Sequence, residues 1–174
     1  MLEQIDTLSK IATAFSNYAK LPENSPTIFD LDELVKSTIK IYDVEKNISI
    51  SLIYNENDDW TMFADKNNLG RVLGNIIKNA IQAIGKKDDG CITVTLNKLG
   101  ERYKIDIADN GCGINEEDRA KIFFPNFTTK SSGMGVGLSV SQDIIQALGG
   151  NITFTSEVGK GTVFTIDLPI LKEK

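Results

Sequence analysis

Asp109-Asn110-Gly111-Cys112-Gly113 follows the strand-like run Tyr103-Lys104-Ile105-Asp106-Ile107-Ala108, and further on Gly133-Met134-Gly135-Val136-Gly137-Leu138 opens a helix-like run. The first segment sets one carboxylate at a strand end, followed by a turn that needs glycine. The second sets three glycines ahead of a helix, where backbone N–H groups can approach a phosphate. A carboxylate anchor with a phosphate cradle points to a nucleotide site. Each half alone also fits a plain turn or a flexible loop, so the reading depends on a third element.

That element is Leu69 to Ala83. Leu69, Val72, Leu73, Ile76, Ile77, Ala80, Ile81 and Ile84 recur at the three-four spacing of an amphipathic helix. Asp65 stands at the N-cap position. Asn75 and Asn79 are one turn apart and lie on one edge, beside the apolar stripe. They read either as two solvated side chains or as ligands. An amide oxygen is a hard donor suited to Mg²⁺, which keeps several waters and bridges substrate phosphates.

These segments together resemble the sensor histidine kinases. Asn75-Ile-Ile-Lys-Asn79-Ala80 resembles the family's asparagine box, and Asp109-x-Gly111-x-Gly113 its first glycine box. Phe123-Phe124-Pro125-Asn126-Phe127-Thr128-Thr129-Lys130 resembles its phenylalanine box. Gly133-x-Gly135-x-Gly137-Leu138 resembles its second glycine box, and Gly159-Lys160-Gly161-Thr162-Val163-Phe164 its closing motif. All five stand in the family's order, over roughly residues 28 to 169. The resemblance implies an α/β (α+β) two-layer sandwich of the Bergerat (GHKL) type, a mixed, mostly antiparallel sheet covered by helices on one face. It implies ATP and Mg²⁺ as cofactors and transfer of the γ-phosphoryl group to a histidine. A receiver-domain aspartate of a response regulator then takes the group. Asp109 is expected to accept from the adenine amine with Thr162 in support, and Asn79 to bind the metal. Asn75 is expected near the phosphates. Gly111, Gly113, Thr128, Thr129, Gly133, Gly135, Val136, Gly137 and Leu138 complete the nucleotide-binding set. The stretch from Phe124 to Met134 resembles the ATP lid. Lys130 within it is expected to reach the γ-phosphate, so Asn75 and Lys130 form the implied catalytic pair. Many family members carry a basic residue three positions after the second asparagine, where this chain has Gln82. That departure favours Lys130 as a substitute cation, ahead of Lys78.

Gln4 to Ala19 resembles the second helix of the kinase dimerisation hairpin, nearest to the nitrogen-regulation (NtrY-like) type. Ile5, Leu8, Ala12, Phe15 and Ala19 form a stripe suited to a helix–helix seam. The chain holds no histidine. The acceptor imidazole would lie on the first hairpin helix, so the chain is expected to be a fragment that starts inside the second. The expected organisation is residues 1–21 as part of that helix, 22–27 as linker and 28–174 as the catalytic domain. A histidine-bearing dimerisation helix and a second copy of the full protein are the further partners implied.

Composition bounds the alternatives. In 174 residues, 41% are hydrophobic and 25% charged, as in an ordinary globular chain. A net charge of −5 argues against nucleic acid as a partner. No apolar run is long enough to span a membrane, and a cytoplasmic location is expected, with any anchor of the full kinase upstream. Two cysteines, Cys91 and Cys112, with no histidine argue against structural zinc. Cys112 reads as a small filler residue in the Asp109 turn.

Period and punctuation give the coarse elements. Helices are expected over 1–20, 30–42 (with Asp30 and Glu33 as a capping box), 115–123 and 135–148, the last stopped by Gly149-Gly150. Strands are expected over 48–54 and 60–64 about an Asn-rich turn, over 92–99 and 102–108 as a hairpin around Gly100, and over 152–156 and 162–168.

Overall fold

The computed structural model describes residues 25–43, 47–128 and 135–171. The dimerisation stripe, linker residues 22–24, and Thr129, Lys130 and Gly133 lie outside the described residues.

Among the described residues, seven strands and four helices make two layers. The strands are β1 (Thr27–Asp30), β2 (Ile48–Ile53), β3 (Thr61–Ala64), β4 (Gly90–Leu99), β5 (Arg102–Asp109), β6 (Asn151–Glu157) and β7 (Gly161–Pro169). The helices are α1 (Leu31–Tyr42), α2 (Lys66–Ile84), α3 (Glu116–Arg119) and α4 (Gly137–Ala147). The main sheet runs β2-β4-β5-β7-β6, and β1 and β3 form a separate pair. Only β2–β4 is parallel in the main sheet. The sheet is therefore mixed and mostly antiparallel, as expected.

Strict alternation along the central strands assigns the two faces. Ile92, Val94, Leu96, Tyr103, Ile105, Ile107, Phe164, Ile166 and Leu168 are buried on one face. Thr93, Thr95, Lys104, Asp106 and Thr165 occupy the other. The helices cover the first face. The stripe of α2, from Leu69 to Ala80, lies against β4, β5 and β7, with α1 and α4 on its flanks. Each fully buried Leu or Ile contributes about 1.5–3 kcal/mol over its exposed state. This packing holds α2 rigidly over the sheet.

Asp65 caps α2 as expected. Its Oδ1 accepts from Asn68 N–H at 2.9 Å and its Oδ2 from Ser25 N–H at 3.0 Å. Replacing such a cap costs about 1 kcal/mol. The hairpin β4–β5 turns at Gly100, whose φ is 60°. Gly149, at φ 72°, ends α4, and its N–H bonds the Gln146 carbonyl.

Several expectations fail in instructive ways. Strands β2 and β3 do not form a hairpin. β2 pairs in parallel with β4, while β3 pairs with β1, a strand the sequence reading missed. Four residues with one buried apolar side chain, Phe29, give no period to read. Asp30 flanks α1 but its side chain makes no cap bond, and Glu33 instead binds Lys36 Nζ at 2.8 Å. The helix expected over 115–123 is one turn, Glu116–Arg119. Among the described residues, no helix is long and apolar enough to cross a membrane.

Candidate functional site: a cavity between the sheet end and two helices

The Asp109 end of the site is built by sheet register. Asp109 is the last residue of β5 and is paired on one side with Ile92 and on the other with Thr162. Its Oδ1 accepts from Gly111 N–H at 2.8 Å, closing an Asx turn, and from Thr162 N–H at 3.3 Å. The turn is tightly seated. A Cβ on Gly111 would come within 2.6 Å of the Ala83 carbonyl carbon on α2, and one on Gly161 would run into the Asp109 carbonyl oxygen. Gly161 also sits at φ 123°, a backbone that L side chains rarely adopt. Asn110 fastens the same turn to β4. It accepts from Cys91 N–H at 2.9 Å and donates to the Asp89 carbonyl at 2.8 Å.

Thr162 is 4% exposed and belongs to a short hydroxyl chain. Ser156 Oγ donates to the Gly161 carbonyl at 3.0 Å and accepts from Ile114 N–H at 2.9 Å. Its one proton is thereby used. The 2.9 Å contact between the two hydroxyls therefore has Thr162 donating to Ser156. This leaves Thr162 Oγ1 as an acceptor beside the Asp109 carboxylate.

The opposite end is built by helices. Asn75, Lys78, Asn79 and Gln82 all line the cavity from α2, so the two asparagines share one edge of the helix. Asn75 Nδ2 donates to Ser141 Oγ on α4 at 3.0 Å. Val136 flanks the start of α4 with no side-chain cap bond, so the first N–H groups of that helix have no side-chain partner at the cap. Gly135, Val136, Gly137 and Leu138 line the cavity there. The glycines serve the protein itself: the space of a Cβ on Gly135 is taken by the backbone of Asn126 and Phe127, and that on Gly137 by the Asn75 side chain. Gly135 thus lies directly against residues of the phenylalanine box.

Between the two ends lies a cavity of about 540 Å³, within the range of small-molecule sites. It brings together Asn75, Asn79, Asp109, Gly113, Thr128, Gly135, Val136, Gly137, Leu138 and Thr162 of the expected set. Gly111 supports it from behind. Apolar walls come from Ile114 and Ile122, which the sequence reading did not single out, and from Phe127 and Phe164, which it quoted within motifs but did not assign to the site. Phe164 was legible in principle as an inward position of β7, two residues after Thr162. Ser141 was also missed, although it lies one helical turn after Gly137. Among the described residues, no group of three or more His, Cys, Asp or Glu could hold a metal ion by itself.

A family profile described as histidine kinase-, DNA gyrase B- and HSP90-like ATPase matches residues 64–172. The chain belongs to this family. It is 35% identical over 172 residues to the sensor histidine kinase ZraS of Escherichia coli (strain K12), covering 98% of this chain and 37% of that protein. The chain spans 28–46% of the length of the curated relatives named here. Among solved structures, the nucleotide-free catalytic domain of the histidine kinase ThkA is 32% identical, with a TM-score of 0.75 over 84% of this chain and 96% of that one. ThkA in complex with the response regulator protein TrrA aligns with a TM-score of 0.77 and 28% identity, over 98% of this chain and 49% of that one. The fold is thus the Bergerat-type histidine kinase catalytic fold. Its relatives include ZraS, DegM, sporulation kinase B and AtoS. The nitrogen-regulation subtype read from the N-terminal helix finds no support among them.

Proposed function

We propose that this chain is the ATP-binding catalytic part of a sensor histidine kinase, with residues 28–174 as its catalytic domain and 1–27 as hairpin helix and linker. The observation that carries the reading is one cavity with a fixed carboxylate at one end and two helix-borne amides at the other. Asp109 and the acceptor oxygen of Thr162 suit the exocyclic amine of adenine. Guanine would present a carbonyl oxygen to them. The N–H groups at the start of α4 suit the phosphates. Asn79, with Asn75 beside it, offers neutral oxygen donors, which suit Mg²⁺ arriving with phosphate oxygens. Bound Mg²⁺ would neutralise the triphosphate and clamp its oxygens. Lys130, with Thr128 and Thr129, is proposed to contact the γ-phosphate.

The reaction proposed for the whole protein is transfer of the γ-phosphoryl group to a histidine on a hairpin helix, then to a response-regulator aspartate. The ThkA–TrrA complex supports the second partner. The rival within the family is an ATPase that hydrolyses by itself. Such an enzyme needs a general base for water, and at that position this chain has Asn75, whose amide cannot act as one near neutral pH.

Calorimetry with ATP and GTP, with and without Mg²⁺, tests the binding half. ATP is expected to bind in preference, and Asn79→Ala is expected to remove about five- to tenfold of the Mg²⁺-dependent gain. An unchanged gain would remove Asn79 from the metal. The transfer half is tested by incubating the chain and labelled ATP with a histidine-bearing hairpin. Acid-labile phosphate on the hairpin is expected, and brisk ATP turnover by the chain alone would favour the rival.

A further inference from the structure

We infer that Ser141 is a positioning residue for Asn75, fixing which end of the Asn75 amide faces the nucleotide cavity. The inference rests on reading that cavity as an ATP–Mg²⁺ site. Ser141 is 2% exposed and lies one turn into α4. A hydroxyl has one proton to give. Ser141 gives it to the Gly137 carbonyl one turn back, at 2.9 Å. With that proton committed, Oγ can only accept, and it accepts from Asn75 Nδ2 at 3.0 Å. The amide oxygen must then point the other way. Gly137 makes room for it: a Cβ there would run into Asn75 Oδ1 and come within 2.9 Å of Cγ.

The two sides of Asn75 are different spaces. Asn75 and Gly137 line the nucleotide cavity. Ser141 does not. It lines a second groove of about 670 Å³ between α1, α2 and α4, shared with Asn75, Val136 and Gly137. Asn75 is therefore a wall between cavity and groove, and Ser141 holds its nitrogen from the groove side. The nitrogen and oxygen of an amide are nearly equal in size, so packing alone does not tell them apart. The Ser141 hydroxyl does, when its proton is given to the Gly137 carbonyl.

The chemical consequence is specific. An oxygen turned toward the phosphate end would offer a neutral donor to Mg²⁺ arriving with the phosphates. An amide turned round would donate to a phosphate oxygen instead and offer the metal nothing. Ser141 thus acts on the magnesium-dependent part of nucleotide affinity without touching nucleotide.

The test is calorimetry of the full chain with ATP in EDTA and in Mg²⁺. Ser141→Ala is expected to lower the magnesium-supported affinity about three- to tenfold, the worth of one hydrogen bond, with metal-free affinity held within about twofold. Ser141→Thr, which keeps the hydroxyl, is expected to restore the gain. A Ser141→Ala chain with the wild-type magnesium gain, or one that loses both affinities together, would overturn the inference while leaving the ATP reading intact. A wild-type chain that takes up no ATP would overturn both. Side-chain amide exchange by NMR in the nucleotide-free chain gives a second readout. One Asn75 proton is expected to be protected in the wild type and unprotected in Ser141→Ala, and equal exchange in the two would sink the hydrogen bond and the inference with it.

Discussion

At one end of the cavity Asp109 sits in a central strand, paired on both sides, with its carboxylate pinned by two backbone N–H groups. At the other, Asn75 and Asn79 project from the edge of α2, and Asn75 is held by a side chain on a different helix. The first arrangement fixes a side chain through backbone: moving Asp109 means breaking ladder bonds. The second fixes side chains through other side chains, and its geometry follows wherever α4 goes relative to α2. A base of constant shape suits the rigid end. In the proposed reading, the phosphate chain suits the end that can adjust. The difference teaches where single substitutions will be costly and where they will only retune binding.

The largest effect is expected from the backbone contact behind Asp109. Gly161→Ala adds a Cβ against the Asp109 carbonyl at a strained φ, and about 2–4 kcal/mol of stability is expected to be lost. Gly159→Ala is the control. Its φ is also positive, but nothing lies within 4 Å of the added Cβ, and about 1 kcal/mol is expected. Equal losses in thermal melts would break the claim that the Asp109 end is held by close backbone packing.

Next comes the carboxylate itself. Asp109→Asn keeps the shape and removes the charge, and ATP affinity is expected to fall by about 1.5–3 kcal/mol, the range for a hydrogen bond to a charged group. The preference for ATP over GTP should narrow in parallel. A mutant that binds both nucleotides as the wild type does would move the adenine away from Asp109.

The smallest effect lies at the far end of the same strand and sharpens the comparison by leaving the cavity alone. Tyr103 is buried, stacks at 5.4 Å on Trp60, and its hydroxyl lies 2.9 Å from the Thr61 carbonyl and 3.0 Å from that of Asp59. Burial pushes its pKa from 10.0 up to about 12, with nearby carboxylates such as Asp59 adding to the shift. The unfolded chain therefore loses this proton first. Stability from Tyr103 is complete below pH 10 and declines as the pH rises toward about 12. Melting points are expected to fall over that window and to fall less in Tyr103→Phe. Identical pH profiles would show that Tyr103 does not titrate in this way.

The same contrast explains what could be read in advance. The stripe of α2, its Asp65 cap and the asparagine edge were legible because helical period and capping chemistry are local. The β4–β5 hairpin was legible for the same reason, with Gly100 between two alternating runs. The pairing of β2 and β3 was not. Two strands close in sequence invite a hairpin, yet each found a better partner elsewhere, and only the packing of α1 and α2 over the sheet decides which edges meet. Ser141 was silent too, because a serine one turn inside a helix carries no signal until its neighbour on another helix is known.

From the residues alone came a strand-end carboxylate, an amide-bearing helix edge, glycines before a helix, and a chain without histidine. These follow from residue chemistry and short-range spacing. Tertiary structure alone determined that Asp109 and Asn75 face one cavity, that Thr162 presents an acceptor, and that Gly137 makes room for a side chain. Each of these depends on backbones distant in sequence being held a few ångströms apart, and that separation is set by the packed core between helices and sheet, which no local spacing encodes.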